Sequence, residues 1–121
     1  MRFEKLLVGA VLLLAAAICA NCNYVEMSDH PCPPQGTTLT YDNFGKTFLD
    51  GRCQGCHGAT GGDRQGAPTG IDFGDVESVH KWKVRIFDRA AASNTTMPPG
   101  PDDPPADDRA KLADWLACGA P

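Results

Sequence analysis

Cys53-Gln54-Gly55-Cys56-His57 is the stretch on which the reading of this chain turns. Two cysteines separated by two residues on one turn of helix place both sulfurs within reach of the two vinyl groups of a single haem. The histidine that follows reaches the iron. That spacing is the pattern of c-type haem attachment, with Cys53 and Cys56 as covalent anchors and His57 as the proximal axial ligand. Other chemistries also use paired cysteines. A thioredoxin-like redox pair wants a βαβ surround, and a zinc knuckle wants a second ligand pair at suitable spacing. Neither context is visible in the 121 residues.

Before the motif, Tyr41, Phe44, Phe48 and Leu49 recur at helical spacing up to the cysteines, which predicts a short amphipathic helix that presents Cys53 and Cys56 at its end. Gly45 sits inside that pattern and weakens a helix in isolation, so its use there is close approach of another backbone. After the motif, residues 58–74 hold six glycines and one proline without periodicity, a long loop wrapping over something. Val76, Val79, Trp82 or Lys83, Ile86 and Ala90 then return to the helical period, with Asp75 as the N-cap and Asn94 as a stop. Met97-Pro98-Pro99-Gly100-Pro101 is too rich in proline for helix or strand and runs as extended or turning chain. In the last stretch Asp103 caps a helix that begins at Pro104, carries Asp107 and Asp108 at its positive end and stops at Gly119. Leu112, Trp115 and Leu116 form its apolar face. There is no internal repeat and no alternating strand pattern, so the fold class is all-α, three to four short helices and long loops.

What lies on the far side of the iron decides between an electron carrier and a reactive site. Met97 is the strongest candidate. It falls 40 residues after His57, in a loop that Pro98 and Pro99 stiffen, and a preorganised loop holds a thioether on iron at low entropic cost. The structural alternative is a methionine that fills a gap in the core. His80 falls in a predicted helix and reads as a solvated surface residue, while His30 and Met27 precede the domain.

Residues 1–20 read as a secretory signal, because Arg2 and Lys5 give a positive start, 6–14 are almost wholly apolar and the small residues 15–17 follow. The stretch is too short to span a bilayer comfortably, although an uncleaved anchor is the alternative. Removing it leaves 9 Lys plus Arg against 14 Asp plus Glu, a formal charge of −5. Nucleic acid is therefore an improbable partner, since that affinity depends on neutralising phosphates. About 100 residues then remain for a single domain with a modest core, which excludes large multidomain enzymes. Residues 21–40, with Pro31, Pro33 and Pro34 and no periodicity, read as an irregular lead-in or tether, and 41–121 as the domain proper.

Export places the cysteines in a disulfide-permissive compartment. With Cys53 and Cys56 used by haem, Cys19, Cys22, Cys32 and Cys118 remain. Lipidation of Cys22 beside the cleavage point would remove Cys19 and leave Cys32 and Cys118 as a pair. Against it, Asn21 stands before Cys22 where a lipobox has a small residue; cleavage after Ala17 instead leaves four cysteines and two possible bridges. A Cys32–Cys118 bridge would close a loop of about 87 residues, which chain entropy values at about 4–5 kcal/mol.

From Tyr41 to Pro121 the chain resembles a class I c-type cytochrome domain, in particular the small exported bacterial monohaem proteins that end in a Met-Pro-Pro-Gly loop and a tryptophan-bearing helix. The matching residues are Cys53, Cys56 and His57, the loop 97–100, and Leu112 with Trp115. The resemblance implies a cytochrome c-like fold in which a glycine and a large residue, eight and four positions before the first haem cysteine, pack on the last helix. Gly45 and Leu49 hold those places; the second is more often aromatic, and Phe48 beside it is placed to take over the packing. It also implies one covalent haem c with His57 and Met97 as axial ligands, single-electron transfer without substrate turnover, donor and acceptor redox proteins as partners, and a periplasmic or lipid-anchored location. Arg85, Arg89, Lys81, Lys83 and Trp82 are near enough in sequence to meet haem propionates, although a solvated helix face explains most of them. Asp102, Asp103, Asp107 and Asp108 could steer a basic partner, or simply complement a helix dipole. Two rivals are an enzyme or sensor in which Met97 vacates the iron for peroxide or a gas, and a haem relay subunit of a larger complex.

Overall fold

The computed structural model describes residues 24–60, 62–101 and 103–121. The export segment, Cys19, the expected lipid site Cys22 and Asp102 lie outside the described residues. Every regular element among the described residues is helical, in keeping with the all-α class. A 3₁₀ turn Met27–Asp29 is followed by a wide π-type turn Tyr41–Gly45, α1 (Lys46–Arg52), the single turn α2 (Gln54–His57), α3 (Val76–Ala90) and α4 (Ala106–Ala117). None of these helices is long and apolar enough to cross a membrane.

The predicted helix before the cysteines is broken into three pieces. Thr40 and Asn43 cap each other reciprocally, the Asn43 amide donating to Thr40 Oγ1 at 3.1 Å and the Thr40 amide to Asn43 Oδ1 at 2.7 Å, which secures the start. At Cys53 the backbone leaves helical geometry (φ −123°) before α2 resumes. Along α3 the Asp75 carboxylate accepts from the Ser78 amide at 2.7 Å, and that bond, with the Ser78 hydroxyl, holds its pKa below the ordinary value. Val79, Ile86, Phe87 and Ala90 share one buried face. Asn94 lies beyond the end of this helix and is buried; its side-chain amide donates to Phe87 O at 3.2 Å, a second bond to a carbonyl that also accepts from the Ala91 amide at 3.0 Å.

The last helix differs from expectation at its start. It begins at Ala106 rather than Pro104, and Asp103 does not cap it. Instead Asp103 accepts from Arg109 Nη2 at 3.3 Å. Asp107 and Asp108 do occupy the first turn, and Gly119 follows the last with φ +96°, a left-handed stop open to glycine. Leu112, Ala113, Trp115 and Leu116 are fully buried against α3 and the N-terminal turns.

Gly45 shows what the close approach is for. A methyl group built there would overlap Cη2 and Cζ2 of the Trp115 indole. Phe44 meets the indole edge-on at 6.0 Å between ring centres, and Phe48 and Leu49 are buried in the same cluster as Leu112 and Trp115. Gly45 has ordinary right-handed helical geometry (φ −56°), so alanine would gain helix propensity. The indole is buried on all sides and has nowhere to retreat. Gly45→Ala is therefore expected to destabilise the fold by about 1–3 kcal/mol, the scale of overpacking in a filled core, seen as a lower denaturation midpoint. An unchanged or raised midpoint would mean that Trp115 is not held against this backbone.

The lead-in does not trail as a tether. Val25 exchanges two hydrogen bonds with the buried Asn94 side chain, accepting from Nδ2 at 2.7 Å and donating to Oδ1 at 3.1 Å. His30 Nε2 stands 2.9 Å from Asp114. Cys32 is bonded to Cys118, with 4.7 Å between Cα atoms. Val25, Met27 and Leu39 pack against the core.

Candidate functional site

Cys53, Cys56, His57 and Met97 line one cleft, together with an apolar wall of Pro68, Ile71, Phe73, Ile86 and Ala90. It encloses about 280 Å³ of open space, close to the lower bound of about 300 Å³ for sites that hold organic ligands. Two thiols, an imidazole and a thioether thus converge on a single apolar slot. Chain connectivity alone does not bring residues 57 and 97 together; the antiparallel return through α3 does.

The motif itself is one tight turn. The His57 amide donates to Cys53 O at 2.8 Å and the Cys56 amide to the same oxygen at 3.1 Å. Neither cysteine is in a disulfide. Burial pushes the Cys53 thiol up to about 12; the Arg109 guanidinium opposes this and Cys56 adds slightly to it. A thiol so shifted stays protonated near neutrality.

His57 is strapped to the loop that follows. Its Nδ1 stands 2.8 Å from Ile71 O. A carbonyl only accepts, so Nδ1 carries the proton and Nε2 keeps its lone pair for a ligand in the cleft. The Phe73 amide returns a bond to His57 O at 3.0 Å, Gln54 Nε2 donates to Phe73 O at 2.6 Å, and the Phe73 ring stacks on the imidazole at 4.6 Å. Arg64 organises the rest of this loop, donating to the carbonyls of Gly58, Ala67, Pro68 and Ile71 and pairing with Asp72 at 2.7 Å. The glycine-rich loop is thus a wall of the site built around one guanidinium.

Met97 belongs to the opposite connection. Its amide donates to Arg89 O at 2.9 Å and its carbonyl accepts from Arg109 Nη1 at 2.8 Å. The side chain is 37% exposed. That exposure argues against a gap-filling role, because a core methionine would be enclosed.

Of the residues read as candidates for propionates, Arg85 and Arg89 line the cleft; Lys81, Lys83 and Trp82 do not, and Lys81 Nζ sits 5.1 Å above the Trp82 ring. Arg52 and Arg64 line it as well, and sequence reasoning passed over both. It also passed over Arg109, which is buried. Their periodicity carries no signal, since an arginine that serves loop carbonyls looks in sequence like any solvated one. His80 is exposed, as expected, with Nε2 2.9 Å from Ala120 O. The acidic group is dispersed: Asp103 serves Arg109, and Asp108 pairs with Lys111 at 3.3 Å. Among the described residues no set of three or more His, Cys, Asp and Glu side chains is placed to hold a metal ion, and no strand is present. The surroundings that a zinc knuckle or a thioredoxin-like pair requires are thus missing there. Comparison with models of protein families, with curated proteins and with solved structures finds no match for this chain.

Proposed function

We propose that this chain is a monohaem c-type cytochrome of the class I kind that carries single electrons between redox proteins in an exported, periplasm-facing location. The observation that carries the reading is the convergence of both motif cysteines, His57 and Met97 on one apolar cleft. Haem would supply the cleft with a one-electron Fe(III)/Fe(II) couple. Cys53 and Cys56 would hold it covalently, and His57 and Met97 would bind the iron from the two ligand loops.

The chain's own contribution is to fix the donors and exclude water. The Ile71 carbonyl keeps His57 in the tautomer that presents Nε2. Phe73, Ile71 and Ile86 surround the donors with apolar side chains, and a thioether paired with an imidazole favours the reduced iron. Among the described residues the titratable groups that line the cleft are the arginines, the two motif thiols and His57. Arg52, Arg64, Arg85 and Arg89 line it and suit carboxylates at its mouth. The Cys32–Cys118 bond suits an oxidising compartment outside the cytoplasm.

The decisive measurement is the intact mass of protein produced in a host that attaches haem to exported proteins. It should exceed that of the polypeptide by one haem that survives denaturation and acidic organic extraction. A Cys53→Ala/Cys56→Ala protein should lose all of it. Haem that extracts freely from the unaltered protein, or no haem at all, would sink the assignment.

A further inference from the structure

We propose that Arg109 is the positioning residue for Met97: its buried guanidinium holds the ligand loop closed on the cleft. The inference rests on the reading of Met97 as an axial ligand.

Arg109 is only 3% exposed and extends from α4 into the connection between α3 and α4. Its Nη1 donates to Ala90 O at 2.7 Å, Asn94 O at 2.9 Å and Met97 O at 2.8 Å. Two hydrogens serve three carbonyls, so at least one bond is shared. One group therefore ties the end of α3, the middle of the loop and Met97 itself to a single point on α4. The Met97 peptide is held from its other side by its amide bond to Arg89 O, and Thr96 Oγ1 donates to the same carbonyl at 3.1 Å. Prolines 98 and 99 limit the shape of the loop, and Arg109 anchors it to the neighbouring helix through the ligand's own carbonyl.

A buried cation needs compensation. The only carboxylate paired with Arg109 among the described residues is Asp103, 3.3 Å away and 59% exposed. The loop carbonyls therefore do most of the compensating. This makes the coupling mutual: if the loop swings out, the guanidinium loses the Asn94 and Met97 carbonyls at once and keeps only Ala90 O at the end of α3. Lysine keeps the charge but concentrates it at one ammonium that cannot span the three carbonyls.

The test is the binding of imidazole to the oxidised haem-bearing protein, followed as loss of the methionine-sulfur charge-transfer band. Imidazole competes only when Met97 leaves, so its apparent affinity reports the open fraction. Arg109→Lys should bind imidazole on the order of 10–100-fold more tightly, the scale of losing a hydrogen bond from a charged donor. Leu112→Ala, a core truncation on the same helix, should lower the denaturation midpoint yet leave the affinity within about twofold. If Arg109→Lys does not fold, Asp103→Asn decides. It removes only the exposed partner and should tighten imidazole about two- to fivefold, as a partly exposed ion pair allows. Wild-type affinity in the folded Arg109→Lys protein, or in Asp103→Asn when it alone is available, overturns the role of Arg109. So does an equal gain in Leu112→Ala, which would reduce the effect to general instability. Absence of the band from the unaltered protein would remove the ligand reading itself, and this proposal with it.

Discussion

Met97→Ala protein is expected to lose the methionine-sulfur charge-transfer band of the oxidised state completely, to bind carbon monoxide once reduced, and to have a lower reduction potential. The direction of the last effect follows from removing the soft ligand that favours Fe(II). Stability separates this outcome from a packing role. A methionine that filled the core would cost about 2–5 kcal/mol on truncation to alanine. Met97 is 37% exposed and reaches into the cleft rather than the core, so in protein without haem the same substitution should cost about 1 kcal/mol or less. Two measurements on one variant thus distinguish the roles. Persistence of the band in Met97→Ala would show that another group holds the iron. Carbon monoxide binding to the unaltered reduced protein would instead favour the enzyme or sensor reading.

The second large effect lies far from the cleft. Cys32→Ala/Cys118→Ala protein is expected to unfold with about 4 kcal/mol less stability, because the bond joins residues separated by 86 positions and so removes a large share of the disorder of the unfolded chain. For a domain of about 100 residues this corresponds to a melting temperature lower by roughly 15–30 °C. The loss should be cooperative, since the bond also keeps the lead-in beside α4, where His30 meets Asp114. Haem content per chain should not change, because the cleft takes none of the described residues of the lead-in. A melting temperature unaltered in the variant would mean that the pairing contributes nothing to the fold.

Legibility in the sequence followed the range of the physics involved. The helix Val76–Ala90 and its Asp75 cap were readable because periodicity and capping are local, involving residues three or four apart. The start of the last helix was misplaced because Asp103 satisfied the same capping rule that Asp75 does, while a distant Arg109 competed for its carboxylate. The tether alternative for the lead-in failed for a similar reason, although the described part of the stretch is irregular as expected apart from the turn Met27–Asp29. Its proline-rich composition announces the absence of periodicity, and says nothing of Asn94, which offers Val25 both a donor and an acceptor. Phe87 was absent from the expected helical stripe although it is fully buried, because the core touches α3 over a wider arc than one stripe. Gly45 was expected to admit another backbone; what approaches it is a side chain, the Trp115 indole.

The chain's sequence by itself determined the helical class, the motif that puts two thiols and an imidazole on one turn, and the proline loop that carries Met97. Each depends on neighbours within a few positions, where stereochemistry leaves few choices. The tertiary structure decided that Met97 and His57 line one cleft, that Ile71 sets the tautomer of His57, and that Arg64 and Arg109 each organise one of the two connections that bear these residues. Apart from those of Arg64, whose partners lie three to eight positions away, these are contacts between groups twelve or more positions apart. A buried guanidinium is committed to particular carbonyls only after the helices have packed, because burial then makes any unbonded donor costly.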